Sequence, residues 1–389
     1  MSESLSTRSR IVWLDGIKGI SCFFIFFHHF FLKYFPASIF GPSKPSFLAG
    51  WDLFLSQAPF LSLIVNGNFF VHLFIFISGY VVSYQVMTMK PEGLGGFILK
   101  RYLKLLFPLA VFSLFTVIPY IYNCIGQPFF IKSVLNKILE VVNSLFFGIL
   151  ICGNNTTLGG QLWMMNYIFM GNIYVILITS LCWQFDSKKI MYIPLTIIVI
   201  LILIHTQETL HFATVFLGGF FYLFNCNFKL HIPKYLIIIT IIISLFLGGY
   251  PSEFVPTNIY KYVLIPLDKM NSVSKFFWHG ISVFLLIFGI SQSEKLKNFF
   301  SKSFFVKLSS VSLWVFLLHG LVMSYTDSLF NTLLTNSVSY IVSVFIIFVI
   351  DTVLLFISSY LFSRIITPLG NKLIASILNL ILKNKNGEN

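Results

Sequence analysis

The sequence predicts an all-α, polytopic membrane protein with about ten transmembrane helices and both termini in the cytoplasm. Three observations lead there. Of 389 residues, 57% are apolar and only 10% charged, with a mean hydropathy of +0.87, whereas a soluble domain holds about 45–50% apolar and about 25% charged residues. The apolar residues gather into runs that approach the roughly 20 helical residues needed to cross a bilayer core. Lysines and arginines collect in alternate connecting segments, the asymmetry expected of cytoplasmic loops. This composition excludes a cytosolic enzyme, a disordered chain and a secreted module. The net charge of +13 does not point to nucleic acid, because no polar domain exists to carry a basic face.

In chain order the spans are read at 11–32, 66–87, 98–122, 161–183, 190–204, 209–225, 235–250, 276–292, 308–327 and 336–362. The first is a retained helix rather than a cleaved signal: Asp15 and Lys18 interrupt its beginning, and no small-x-small site follows its apolar stretch. In the second, Ser78-Gly79 is small enough for two helices to approach closely. The fifth and seventh are short for a crossing. The run 141–152 is open to three readings: a re-entrant piece, an interfacial helix or an eleventh span. In the tail 371–389 Lys and Asn alternate with Leu and Ile, the pattern of an amphipathic helix on the inner surface. The organisation is therefore a cytoplasmic segment 1–10, a membrane domain 11–365 and a cytoplasmic tail 366–389. With the N-terminus inside, the inner segments hold eighteen Lys and Arg and the longer outer ones seven.

Ionisable residues inside apolar helices cost roughly 2.5–3.5 kcal/mol each at mid-helix on insertion scales, so they mark candidate sites. In the first helix Asp15 and Lys18 are three apart, spaced to pair on one face. His29 follows Lys18 by eleven residues, which returns it to within about 20° of the same stripe after a rise of about 16 Å. His28 points about 100° away, so the two histidines are not expected to face one cleft. In the third helix Arg101 and Lys104 lie one turn apart with Lys100 beside them. They serve either as membrane anchors or as a clamp for a phosphate-bearing cofactor. Weaker polar insertions are His72, Glu208 between His205 and His211, His319 near the middle of the ninth span, and Asp351 in a long apolar run. For these a packed structural role is at least as good a reading as a site.

Five cysteines, Cys22, Cys124, Cys152, Cys182 and Cys226, are dispersed with no C-x-x-C pair, which favours neither a disulfide framework nor a zinc site. No nucleophile elbow, Walker loop, dinucleotide fingerprint or His-Glu-x-x-His helix occurs. No metal site is expected.

Four segments in order resemble the acyltransferase-3 family of integral membrane proteins. LDGIKG followed by His29 is similar to the family's L-D-G-L-R-G opening and its later His, with Lys18 at the Arg position. LFIFISGY (73–80) is similar to its L-F-F-V-L-S-G-F segment, KRYLKLLFP (100–108) to its basic R-R-x-x-R-x-x-P run, and SLWVFLLHG (312–320) to a late helix ending L-L-H. QLWMMNYIFMGN (161–172) resembles the family's L-W-x-x-x-x-E-F-x-G, with Trp163 matched but Ile168 at the Glu. Lys18 and Lys104 in place of Arg exchange a planar fork for a point charge.

The resemblance implies an enzyme that moves an acyl group, usually acetyl from cytoplasmic acetyl-CoA, onto a hydroxyl of a cell-surface or extracellular polysaccharide. It implies cofactor-binding roles for Lys100, Arg101 and Lys104, with no metal. It implies that His29 is the catalytic base or a transient acyl carrier, with Lys18 and Asp15 beside it. His72, Trp163, Glu208 and His319 stand as acceptor-binding or structural polar groups. The expected setting is the plasma membrane of a bacterium. Acyl-CoA, a glycan acceptor, lipid and other envelope-polysaccharide biosynthesis proteins would be the partners, with no nucleic acid. Two rival readings are a non-enzymatic exporter of a polysaccharide or lipid-linked glycan and an inactive acyltransferase-like assembly partner. The missing carboxylate at Ile168 motivates the second.

Overall fold

The computed structural model describes residues 10–89, 93–154, 158, 160–185, 192–204, 206–227, 232–251, 259–260 and 272–383. The segments 1–9 and 384–389, His205, and the loop cations Arg8, Lys90, Lys188, Lys189, Lys229, Lys261, Lys269 and Lys385 lie outside the described residues. The described residues are predominantly helical, with no strand among them. The main helices are α1 (Val12–Tyr34), α2 (Gly67–Met87), α3 (Leu94–Cys124), α4 (Phe130–Asn143), α5 (Met164–Phe185), α6 (Tyr192–Ile204), α7 (Gln207–Asn227), α8 (Lys234–Gly248), α9 (Ser272–Ser291), α10 (Ser303–Tyr325) and α11 (Tyr340–Lys383). Among the described residues, eight helical segments are long and apolar enough to cross a membrane, or nine when α1 is taken with the bent helix after it.

Cross-helix contacts give each helix a direction, and the directions count the crossings. Lys18 lies against Phe74 and His28 against Gly67, so α1 and α2 run antiparallel. Ser78 meets Asn172 and Ser83 meets Thr179, so α2 and α5 run parallel. Tyr167 meets His211 and Tyr174 meets Phe216, so α5 and α7 are parallel. His211 meets Phe276 and Phe221 meets Phe284, so α7 and α9 are parallel too. Each parallel pair needs one return crossing between its members. The 13 residues of α6 and 15 of α8 supply two of these, short as they are. Between α2 and α5 that crossing is α3, so Phe130–Cys152, though long and apolar enough, adds none of its own. The eleventh-span reading of 141–152 is thereby excluded, and the described helices make ten crossings.

Phe130–Cys152 continues from α4 into a π-helix, Ser144–Cys152. It is tied to its neighbours by the Tyr102 hydroxyl donating to the Phe146 carbonyl and by the Asn166 amide donating to the carbonyls of Leu150 and Ile151. Its end therefore meets the first turn of α5. The helix ends there at Cys152, with Gly153 in the left-handed region at φ +73°, the kind of discontinuity that membranes tolerate where backbone is buried in protein or lines a cavity.

The centre is built by α1, α2 and α10. Lipid supplies no hydrophobic drive between helices, so close approach depends on small residues. Gly16 and Gly19, the two glycines of LDGIKG, face the Phe300 and Phe305 carbonyls, where a Cβ would collide with backbone. Gly79 does the same against the Val215 carbonyl of α7. Cys22 donates its thiol to the Ser312 carbonyl at 2.8 Å, and its pairing with α10 follows from that same close approach. On the periphery, α3, α8 and α11 present many exposed Leu, Ile, Val and Phe side chains, as lipid-facing helices do.

The tail differs from its sequence reading. Instead of ending near 362 and restarting as a surface helix, α11 runs unbroken for 44 residues, about 66 Å at 1.5 Å per residue and about twice the hydrocarbon thickness. Pro368 lies inside it, where it removes one backbone donor and crowds the Arg364 carbonyl, yet the helix continues through it.

Candidate active site

Two chambers lie end to end along the α1 stripe. The inner one, about 260 Å³, is lined by Asp15 and Lys18 from α1, Ser78 from α2, Arg101 from α3 and Ile168 from α5, among others. The outer one, about 70 Å³, is lined by His28, His29, Asn68, Gln161 and Trp163. Met164 and Phe316 line both.

In the inner chamber the expected Asp15–Lys18 pair is not formed. Asp15 instead pairs with Arg10, one turn earlier and more exposed. Lys18 is left with no carboxylate within 4.0 Å among the described residues, its ammonium 4.9 Å from the centre of the Phe74 ring. The reason is directional: both Arg10 and Lys18 can reach Asp15, but Lys18 turns towards α2. Arg101 donates to Gln85 Oε1 at 3.2 Å and lies 5.5 Å from the Phe97 ring. Lys100 and Lys104 are exposed and do not line the chamber. Of the basic run, one residue therefore faces inward. Ile168 at the chamber wall means that Lys18 and Arg101 confront a single carboxylate already engaged elsewhere. Two cations facing an apolar-walled cavity favour an anion.

In the outer chamber His29 has its ring 4.8 Å from that of His319, tilted by 33°. His319 Nδ1 lies 2.7 Å from the Phe316 carbonyl, an acceptor, so Nδ1 carries the hydrogen in this assignment and Nε2 keeps its lone pair. His28 faces the chamber too, contrary to the helical-wheel expectation. An imidazole is long enough to reach a cavity from a flank, and Gly67 leaves room where a side chain would meet the His28 ring. Its Nδ1 is committed to the Val65 carbonyl at 2.6 Å. His29 makes no hydrogen bond to protein among the described residues, which leaves its ring free for a reacting group. Gln161 and Trp163 reach the chamber from a short 3₁₀ turn, Gly160–Trp163, just before α5. The turn that leads into α5 thus lies beside His29.

His72 is elsewhere. It donates from Nδ1 to the Asn68 carbonyl at 2.9 Å and packs 4.8 Å from His211 and 5.8 Å from His279. Each of the three keeps a buried ring nitrogen with no partner, yet no group of three or more His, Cys, Asp or Glu among the described residues is placed to hold a metal. Trp163 bridges the two regions, lining the His29 chamber while its ring lies 5.0 Å from His211. Glu208 is exposed at the start of α7 and lines neither chamber. Asp351 accepts from the Thr326 hydroxyl at 2.8 Å and ties α11 to the end of α10.

Sequence reasoning missed Gln161, Asn68, Met164, Phe316 and His279. None has a local signal, since each gains its place only when several helices converge. Gln161, Met164 and Phe316 were nevertheless within reach, since they lie in the segments QLWMMNYIFMGN and SLWVFLLHG already singled out.

A family model described as an acyltransferase domain matches residues 11–364. A curated protein, O-acetyltransferase PaAT-1 of Phomopsis amygdali, is 30% identical over 125 residues, which is 30% of this chain and 24% of that protein. The matched part thus spans about a quarter of the length of that relative. No solved structure matches.

Proposed function

The chain belongs to the acyltransferase-3 family, and from that premise we propose that it moves an acyl group, acetyl by preference, from cytoplasmic acyl-CoA to a hydroxyl of a cell-surface or extracellular polysaccharide. The observation that carries the reading is the pairing of two chambers: cations in one, an uncommitted histidine in the other, and a shared wall between. About twelve bonds separate the pyrophosphate of CoA from its sulfur, an extended reach of about 14 Å at backbone-like spacing. The rise from Lys18 to His29 is about 16 Å. A donor whose phosphates rest on Lys18 and Arg101 at the inner side therefore brings its thioester to the level of His29.

His29 takes the proton of the acceptor hydroxyl as that oxygen attacks the thioester carbonyl. The carbon–sulfur bond breaks, and the proton passes from His29 to the departing thiolate. His319 positions the His29 ring from the side and, with Nδ1 tied to the Phe316 carbonyl, offers it only a lone pair. A neutral imidazole with an uncommitted ring nitrogen has a lone pair to take the proton, as the base role requires. Gln161, Asn68 and Trp163 surround the point where the hydroxyl enters. The plasma membrane of a bacterium, with enzymes of envelope-polysaccharide synthesis as neighbours, is the setting this reading favours.

The test supplies labelled acetyl-CoA to one face of oriented proteoliposomes and a panel of envelope glycans to the other. Label on a glycan, dependent on His29, supports the reading. Absence of transfer from every acyl-CoA tried, with native membranes added, contradicts it in favour of an exporter or an inactive partner.

A further inference from the structure

The wall between the chambers is made of two side chains. Met164 and Phe316 are the residues common to both linings, and both are buried, at 1% and 3% exposure. An acyl group travelling with a donor held at Lys18 and Arg101 leads with its tail, because the carbonyl is joined to sulfur behind it. The tail must therefore pass Met164 and Phe316 and fit wholly beyond them before the carbonyl can meet His29. The space beyond is about 70 Å³. Liquid water takes about 30 Å³ per molecule, and a cavity that seats benzene measures about 150 Å³. The acceptor hydroxyl must occupy the same partly open space during transfer, so two carbons fit beside it and a six-carbon chain does not. The 260 Å³ of the inner chamber offers no relief, since a long tail lodged there keeps its carbonyl below the wall.

We propose that Met164 and Phe316 set the acyl-chain length this protein accepts, admitting acetyl and rejecting chains of about six carbons. The proposal rests on the acyl-CoA reading above. Met164 is an unbranched, adaptable side chain of the kind that fills irregular gaps. Phe316 belongs to the turn of α10 whose carbonyl holds His319, so its ring is fixed relative to the site. Ile168 lines the inner chamber alone and serves as the control.

The experiment measures kcat/KM for acetyl-CoA and hexanoyl-CoA in the purified protein and in Met164→Ala, Phe316→Leu and Ile168→Ala. A methylene that does not fit costs about tenfold or more in selectivity, so the wild type should prefer acetyl by more than about 100-fold. Met164→Ala, and to a smaller degree Phe316→Leu, should cut that preference about tenfold or more by raising the hexanoyl rate. Ile168→Ala should leave it unchanged. A merely structural role would lower both rates together and leave their ratio unmoved. Equal use of the two donors by the wild type overturns the proposal, as does a ratio unmoved in both wall variants or moved equally in Ile168→Ala. If the wild type transfers acetyl in those cases, the acyl-CoA reading survives; if no acyl-CoA of any length is used, both fall.

Discussion

Replacing Arg101 with glutamine removes one of the two cations lining the inner chamber while keeping a planar side chain that can still bond to its neighbours. Arg101 faces the cavity beside Lys18, and the protein contacts seen for it are the Gln85 carbonyl oxygen of the side chain and the Phe97 ring face. Its charge is therefore available to a phosphate. A hydrogen bond to a charged group contributes about 1.5–3 kcal/mol, so its loss should weaken acetyl-CoA binding about 10–150-fold at 1.4 kcal/mol per decade. Lys100 and Lys104 share the basic run but are exposed, where solvent and salt screen them. Lys100→Gln and Lys104→Gln should each change affinity by less than about threefold. The assay is equilibrium binding of labelled acetyl-CoA to detergent-purified protein at low and physiological salt, with a melting curve for each variant. Unchanged affinity in Arg101→Gln, or a larger loss in Lys104→Gln, would refute the assignment of the inner chamber to the donor.

Lys18→Arg should keep acetyl transfer, whereas Lys18→Ala should lower it about 10–100-fold through loss of a charge-assisted contact; full activity in the alanine variant contradicts the shared stripe. His28→Gln should lower thermal stability by about 1–3 kcal/mol through the stranded Val65 carbonyl while harming transfer less than His29→Gln does, and the reverse order of activities would show that the wrong histidine has been chosen. Gly79→Leu should destabilise the helix pair by about 1–3 kcal/mol or prevent folding, as overpacking does. Gly95→Leu, with nothing within 4 Å of its missing Cβ, should melt as the wild type does, and equal melting of the two variants counts against the close α2–α7 contact.

The parts of the molecule legible in its sequence are those governed by one helix at a time. Apolar run length located the helices, and the arithmetic of turns placed Lys18 and His29 along one line of α1. Ser78-Gly79 marked a close approach because only a missing side chain permits one, whereas the same role of Gly16 and Gly19 emerged only from the structure. Pairing between helices was not legible. His29 and His319 are 290 residues apart, and nothing in either segment names the other. The partner of Asp15 was misread because Arg10 and Lys18 are both within reach along the chain and only the neighbouring α2 decides between them. Helical-wheel angles likewise failed for His28, since an angle on one helix says nothing of how far a side chain reaches into a cavity. The status of 141–152 needed the directions of α2 and α5, which only their contacts supply.

The most direct test of the account is acetyl transfer by wild-type and His29→Ala protein in the same lipid discs, with labelled acetyl-CoA saturating and native membranes as the source of acceptor. Binding is read in parallel. The account predicts that His29→Ala binds acetyl-CoA within about threefold of the wild type, because the cations lie in the other chamber, yet transfers label at least about 100-fold more slowly, the scale of a lost general base. Transfer by His29→Ala at the wild-type rate would contradict it.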